Sequence, residues 1–499
     1  MDTSEINLSY SSCRWLWGEW ESLRTTVEQI HKQVAELQRQ NTKLQRQNTK
    51  LQQQNNKLQR QNTKLQVEID RLKKEREETE KNSKRQTSRF PRRQRTTEPK
   101  KPGRKKGTPA THRDRPAQVD REIDVPVGKC PDCCCAVETI VVHRQFQTDL
   151  PPVTPVTTQF NVAVGSCPRC GKRVQGRHPE QISDALGAAG NLIGPNAQTM
   201  AAQLKHHAGL SYAKITNFLC DYFHLQTVAS TFVRAGQRLA KRAEPTFELL
   251  KSQLRLEHVV HADETGWRIG ILSDWLWAFS SQQITVYQVG GGRGHDVPLD
   301  ILGDDFQGIL ICDGLASYDP LPYLKGRCVG HVLARISKLE AALPGRQLSK
   351  LQILKSLLQE AMDIGRRREM LTAKGYQRRV QELENRLDFW ILLSEEHRQP
   401  DVARLARHLQ KHRHEWFMFL YDPLVPPTNN HAERMIRPAV IIRKLGGCNK
   451  TPAGAKVHSV LASLMVSCRQ QGKRFLDLAD PLFHATDRIS IPLASLPDG

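Results

Sequence analysis

The most regular feature of the chain is a seven-residue beat of large apolar side chains. Leu23, Ile30, Leu37, Leu44, Leu51, Leu58, Leu65 and Leu72 fall seven apart without a break, the phase of a helix that packs against another along one seam. Three residues before each lie Trp20, Val27, Val34, Asn41, Asn48, Asn55, Asn62 and Ile69. Four of these partner positions are asparagine, and buried asparagines pair best at one level of a parallel dimer, giving up stability for register. The pattern predicts a coiled coil over 20–80 that joins two copies as a parallel homodimer. The repeated QRQNTKL unit leaves a second reading open, a Gln/Asn-rich segment of low complexity that stays disordered.

The apolar beat then stops. Between Lys81 and Lys106 there are twelve Lys or Arg against one acid, Glu98. Such a stretch has nothing to bury and predicts a flexible basic arm over 81–116. Arg92, Arg93, Arg104, Lys105 and Lys106 are its candidate phosphate contacts, since an arm of this kind binds DNA by counterion release. A merely solvated linker is the alternative.

Over 117–178 the pattern changes to two cysteine knuckles, Cys130-Pro-Asp-Cys133 and Cys167-Pro-Arg-Cys170. The segments TIVVHRQFQTDLPP and VTTQFNVAV between them read as strands. Four thiolates presented by two turns suit one tetrahedral Zn²⁺, so a zinc ribbon is expected. Cys134 and Cys135 directly follow Cys133, so the identity of the ligand within that cluster stays open.

From 179 to 254 the apolar spacing is helical. A break at Gly209 and Ser211 suggests a helix-turn-helix that touches DNA, and plain packing helices explain the pattern equally well. Residues 257–313 switch to short apolar runs, HVVHADETGWRI, WLWAFS, QITVYQVG and GILICDG, which predict four strands, the first three as an antiparallel meander. Asp263 interrupts the first run and Asp313 closes the fourth. A carboxylate on a buried strand costs several kcal/mol unless paired or metal-bound, so two on neighbouring strands suggest shared Mg²⁺ or Mn²⁺. Glu264, beside Asp263, falls on the opposite face and reads as structural or DNA-facing. In VPPTNNHAERMIRPAVIIRK, Thr428 or Asn429 can cap a short helix that carries Glu433 and ends near Pro438. Locally, Glu433 is either a third ligand or half of an i,i+4 ion pair with Arg437. His331 and Arg335 share one helix face, and with Arg434, Arg437, Arg443 and Lys444 they are candidate phosphate contacts. Trp267 reads as core. Residues 446–499 form a C-terminal helical segment.

Composition agrees with these patterns. The 499 residues are enough for several domains, and a net charge of +22 makes nucleic acid the first partner to consider. No apolar run reaches the length of a membrane span, and MDTSEINLSY is unlike a secretory signal. Twelve cysteines, half of them crowded into the two knuckle clusters, point to metal more than to disulfides in a chain expected to be intracellular.

HADETGWRI, the run ending in CDG with Tyr318 after it, RCVGHVLAR, and above all PPTNNHAERMIRPAVIIRK resemble the transposases of the insertion sequence 66 family of bacterial mobile elements. PGRKKGTPATHRDRP, the knuckle segment with RQFQTDLP, GLSYAKITNFL and GAKVHSVLASLMVSCRQQG extend the resemblance over nearly all of the chain after residue 99, with a departure at Thr108. The resemblance implies a multidomain α+β protein: coiled coil, zinc ribbon, helical DNA-binding region, and an RNase-H-like α/β catalytic domain over 255–445 with a helical insertion at about 336–422. It implies a DDE triad of Asp263, Asp313 and Glu433 holding two Mg²⁺ or Mn²⁺ ions, with cleavage of element ends and strand transfer into target DNA. Terminal repeats, target DNA and accessory transposition proteins are the implied partners, and the bacterial cytoplasm, at the nucleoid, the implied location. A non-catalytic zinc-ribbon DNA-binding dimer and a hydrolytic nuclease of the same fold are the rival readings.

Overall fold

The structure, a computed structural model, describes residues 10–86, 115–125, 128–130, 132, 134–135, 143–342 and 347–499. The chain divides into two units, Met1–Lys84 and Arg85–Gly499.

The first unit is one helix, α1 (Tyr10–Gln86), 77 residues long. Its length follows from the absence of Gly and Pro after Gly18 and from a run of Gln, Lys, Leu and Glu, which lose little freedom in a helix. Leu23, Ile30, Leu44, Leu51, Leu58 and Leu65 are all exposed along it. The helix runs through Lys81–Gln86, which had been expected to begin the basic arm; charge alone does not stop a helix that Lys, Arg and Glu favour. Arg92, Arg93, Arg104, Lys105 and Lys106 lie outside the described residues.

The second unit begins with a small antiparallel hairpin, β1 (Val164–Ser166) and β2 (Arg173–Gln175). Only three residues of the expected strand VTTQFNVAV and its flank pair, and 143–152 form no strand. Three helices follow: α2 (Pro195–His206), α3 (Tyr212–Phe223) and α4 (Ala229–Leu254). The predicted break falls between α2 and α3, where Gly209 adopts φ 77° and the Ser211 hydroxyl accepts the amide of Lys214 at 3.3 Å as a cap. His206 of α2 is buried, with its Nδ1 3.1 Å from Nδ1 of His458.

Then come β3 (Val259–Ile269), β4 (Leu272–Ser280), β5 (Thr285–Val289), α5 (Asp296–Leu302), β6 (Ile309–Cys312) and β7 (Leu324–Arg327). They form one mixed sheet in the order β5-β4-β3-β6-β7. The meander β3-β4-β5 is antiparallel as expected, while β6 and β7 run parallel to β3. Four helices, α6 (Val329–Ala342), α7 (Gln347–Arg366), α8 (Ala373–Leu392) and α9 (Pro400–Lys411), and the short α10 (Met418–Tyr421) follow. Helix α6 crosses residue 336 unbroken, so the expected insertion boundary falls inside a helix whose Val332 and Ile336 pack with Ile309 and Ile311 of β6. The chain ends with α11 (Asn430–Gly446), α12 (Pro452–Gln470) and α13 (Phe475–His484).

Alternation along the strands assigns the faces. Val260, Ala262, Leu310 and Cys312 pack on one side with α4, α12 and α13. Val259, Ile309 and Ile311 pack on the other, with α6 and the helices that follow it. Strand β5 is an edge, and α12 covers it. Its Ser467, Ser463 and Ser459 hydroxyls accept the amides of Thr285, Tyr287 and Val289 at 2.9, 2.8 and 3.0 Å. Four helix residues rise about 6 Å and two strand residues about 6.8 Å, so serines four apart meet alternate amides. Edge amides that would otherwise invite another strand are thereby satisfied.

Candidate active site

Asp263 and Asp313 come level through strand register. His261 of β3 pairs with Ile311 of β6 in a parallel ladder, and each acid stands two residues beyond its member of that pair. Alternation sends both toward the face shared by Val259, Ile309 and Ile311. Asp313 follows the last residue of β6, so the two acids stand at one end of neighbouring strands that lie about 4.8 Å apart.

Glu433 is delivered to the same place by the start of α11. Asn429 is buried; its Nδ2 donates to the carbonyl of Ala262 at 2.7 Å, its Oδ1 lies 3.0 Å from His261 Nδ1, and its amide donates to Cys328 Sγ at 3.2 Å. Because the Asn429 oxygen faces His261, that imidazole must be the donor. His431 adds a bond of 2.7 Å from Nε2 to the carbonyl of Ser281. Asn429 therefore ties the helix to β3 beside Asp263, with no side-chain capping bond. Of the two expected caps, Thr428 and Asn429, it is Asn429 that stands at the N-cap position, where its side chain braces β3 instead of bonding a helix amide. The helix also continues past Pro438 to Gly446. Packing of Ile436, Ala439 and Ile442 on Trp267, Leu276 and Tyr287 outweighs the one helical bond that proline removes.

The charges of Asp313 and Glu433 are felt at Asp263. Burial pushes the Asp263 carboxyl up to about 7, with further contributions from the charges of Glu264, Asp313 and Glu433 and against the bond it accepts from the Glu264 amide. Glu433 is half exposed and faces His331 Nε2 at 4.0 Å. His331 is raised to about 9, first by its bond to Cys328, against partial burial, with Cys328, Asp313 and Glu433 adding to the shift. The cationic imidazole thus belongs to the site. Glu264 faces the other side: Arg293 Nη2 lies at 2.7 Å and the Tyr318 hydroxyl donates at 3.2 Å.

Among the described residues no group of three His, Cys, Asp or Glu side chains closes around one point at metal distance. Mg²⁺ does not need such a cage, since it keeps several waters and is held by one or two carboxylates plus substrate phosphates. A carboxyl raised first by burial and further by its acidic neighbours is a donor whose charge a divalent cation offsets, so the residues fit the ion.

Of the basic candidates, Arg434 and Arg437 are exposed on α11, and Arg335 is partly buried on α6. Lys444 is partly buried near the end of α11. Arg443 departs from the expectation of a phosphate contact: its Nη1 donates to Thr265 Oγ1 at 2.8 Å and to the carbonyl of Gly266, bracing α11 against β3. Trp267 is core, stacked on His458 with centroids 5.3 Å apart.

The cysteine knuckles share one backbone turn. The amide of Gly171 donates to the Cys167 carbonyl at 2.8 Å, and that of Cys167 to the Lys172 carbonyl at 2.9 Å. The amide of Cys134 donates to the Cys130 carbonyl, and that of Cys130 to the Cys135 carbonyl, both at 2.9 Å. Gly171 and Cys134 have φ of 70° and 57°. Cys134 thus occupies the glycine position of the turn, and Cys133 lies outside the described residues. The amides of Cys170 and Arg169, with the Cys170 side chain, hold the Cys167 thiol below its ordinary value. A thiolate stabilised in this way is the donor zinc requires, so these residues fit the metal.

The fold and site define the class first: a mixed α/β protein whose two parallel central strands deliver a pair of acids, joined by a third from a helix braced against the first strand. The family model of the Transposase IS66 family matches residues 190–457, which is more than half of the chain, and the chain belongs to that family. Membership makes it a transposase, with DNA as its partner. A search of the curated proteins finds no match to it. No helix among the described residues is long and apolar enough to cross a membrane.

Proposed function

We propose that the chain is a DDE-type transposase that cleaves DNA at its element's ends and joins the freed 3′ ends to target DNA at a single site built from Asp263, Asp313 and Glu433. The observation that carries the proposal is the register of β3 and β6, which brings Asp263 and Asp313 level on one face. The strand order and directions support an RNase-H-like reading of 255–445. In such a core a meander edge, a central first strand and two parallel strands beyond it form the catalytic sheet.

Asp263, Asp313 and Glu433 would hold Mg²⁺ or Mn²⁺, two ions per site. When bound, the ions supply charge neutralisation at the scissile phosphate. The chain's own residues orient and exclude: Asn429 holds the first turn of α11 against β3, so Glu433 stays beside the aspartates. His331, held in its charged form by Cys328, presents a positive charge to a phosphate. Arg335, Arg434, Arg437 and Lys444, with Arg92, Arg93, Arg104, Lys105 and Lys106 of the basic segment, extend that contact along the DNA. The helical region 179–254 and the knuckle segment 117–178 are the modules proposed to read the ends. Zn²⁺ held by Cys130, Cys133, Cys167 and Cys170 would shape the second of these.

The exposed heptad face of α1 supports a parallel dimer, because six exposed large apolar side chains on one stripe are a surface that a second copy buries. Residues 20–80 therefore serve as the dimerisation segment, 81–116 as the arm, about 336–422 as the insertion and 446–499 as a C-terminal cover. Accessory transposition proteins, and action at the nucleoid of a bacterial cell, complete the proposal. To test it, purified protein is incubated with element-end DNA, a target plasmid and Mg²⁺. Joined products are expected; free cleaved ends with no joining would instead support a nuclease, and end binding with no cleavage a non-catalytic binder.

A further inference from the structure

Arg327 is the last residue of β7 and pairs in register with Cys312, the residue before Asp313. Its side chain has 0% exposure. One guanidinium nitrogen, Nη1, donates to the main-chain carbonyl of Asp313 at 2.7 Å. Nε donates to Glu415 Oε2 at 2.5 Å and Nη2 to Asp319 Oδ1 at 2.7 Å, and His412 Nδ1 lies 3.3 Å from Nη2. Asp319 is held in turn by Lys411 Nζ at 2.6 Å. Lys411, His412 and Glu415 all come from the end of α9 and the turn after it, far along the chain.

A fully buried arginine is expensive unless every donor has a partner, and this one uses its planar fork to join a catalytic-loop carbonyl to two carboxylates. The same segment closes over the loop from above: a side chain at Gly314 would meet the His408 ring at 3.2 Å. The Asp313 carboxylate is itself turned back, accepting the Leu315 amide at 2.8 Å on Oδ1. The loop is therefore held at its main chain by Arg327, at its side chain by its own turn, and across Gly314 by α9.

We propose that Arg327 is a positioning residue for the second acid, and that the helical segment carrying Lys411, His412 and Glu415 clamps Asp313 at its working place through it. The inference rests on the reading of Asp313 as a metal ligand. It gives the insertion a task at the site. The end of α9 sets the loop's position through Glu415 and His412, so a helix packed outside the sheet reaches the loop that carries Asp313.

The test uses the full-length protein in three forms: Arg327→Lys, the charge-balanced Arg327→Met/Glu415→Gln pair, and Asp313→Asn. In the pair Asp319 keeps Lys411, while Lys325 loses its 3.9 Å ion pair with Glu415 and keeps the carbonyls of Leu321 and Tyr323. Amide hydrogen exchange is measured without metal, and Mn²⁺ binding by electron paramagnetic resonance. In the double variant, exchange over 313–315 is expected to rise at least about tenfold while 259–261 stay protected. Mn²⁺ binding is expected to weaken about 10- to 100-fold. Arg327→Lys, which keeps the charge on a single donor nitrogen without the planar fork, should fall between. Unchanged exchange and unchanged Mn²⁺ affinity in a folded double variant would overturn the proposal, as would failure of that variant to fold, since Arg327 would then serve only the core. Unchanged Mn²⁺ affinity in Asp313→Asn alone would remove instead the reading of Asp313 as a ligand, a separate failure.

Discussion

Asn429 Nδ2 donates to the carbonyl of Ala262 at 2.7 Å, so the helix that carries Glu433 is fastened to the strand one residue before Asp263. Two of the three acids are thus linked by a single buried amide and not by long-range packing alone. Replacing Asn429 with Ala would strand the Ala262 carbonyl and the His261 imidazole. Leaving such groups buried and unpaired costs about 1–3 kcal/mol. Chemical denaturation is expected to show a loss in that range, and cleavage of element ends should fall while DNA binding persists.

The serine ladder of α12 offers a cleaner structural test. Ser463→Ala leaves the Tyr287 amide without its acceptor. A loss of about 1–3 kcal/mol is expected in denaturant unfolding. Element-end binding and the metal requirement for cleavage should match those of the wild type, because the ladder lies at the sheet edge away from Asp263.

Acid should loosen the junction of α2 and α12. His458 is lowered to about 4 by burial and the charge of Lys205, and His206 is lowered well below its ordinary value by burial, His458 and Lys205. Both are therefore neutral in the folded chain, while the unfolded chain takes up protons below the ordinary value of 6.5. Their contribution to stability is full above about pH 6.5 and is lost as pH falls toward 4. Melting temperature measured from pH 7.5 to 4.5 should drop over that window in the wild type and drop less in His458→Leu.

The shared turn of the knuckles predicts which cysteines matter. Cys134→Gly replaces a left-handed cysteine by the residue found at the matching position, and should keep one zinc per chain with stability raised by about 1 kcal/mol. Cys130→Ser and Cys167→Ser should each lose the metal by atomic absorption.

Much of this architecture was legible in the chain. Heptad leucines announce α1, and apolar runs announce β3, β4, β5 and β6, because in both cases burial is written as a period. Strand β7 was missed because its residues are Leu324, Lys325, Gly326 and Arg327, two of them charged. They are buried only because Glu415, from beyond α9, completes the ion pairs. No local pattern reports a partner that distant. Pro438 was misread for a related reason, since a local rule named a helix end while tertiary contacts carry α11 on to Gly446; Asn429 is the N-cap as expected, but its side chain serves β3. The knuckles were plain, yet among the described residues the expected strand VTTQFNVAV keeps only Val164, at the start of a three-residue strand that pairs with Arg173–Gln175.

The central claim is that Asp263, Asp313 and Glu433 act as one metal-dependent site on DNA. The most direct measurement compares Mg²⁺-dependent cleavage and joining of element ends by the wild type with Asp263→Asn, Asp313→Asn and Glu433→Gln, alongside metal-free end binding for all four. The account predicts that each variant binds ends as the wild type does and yields neither cleaved nor joined product. A variant that still cleaves would contradict it.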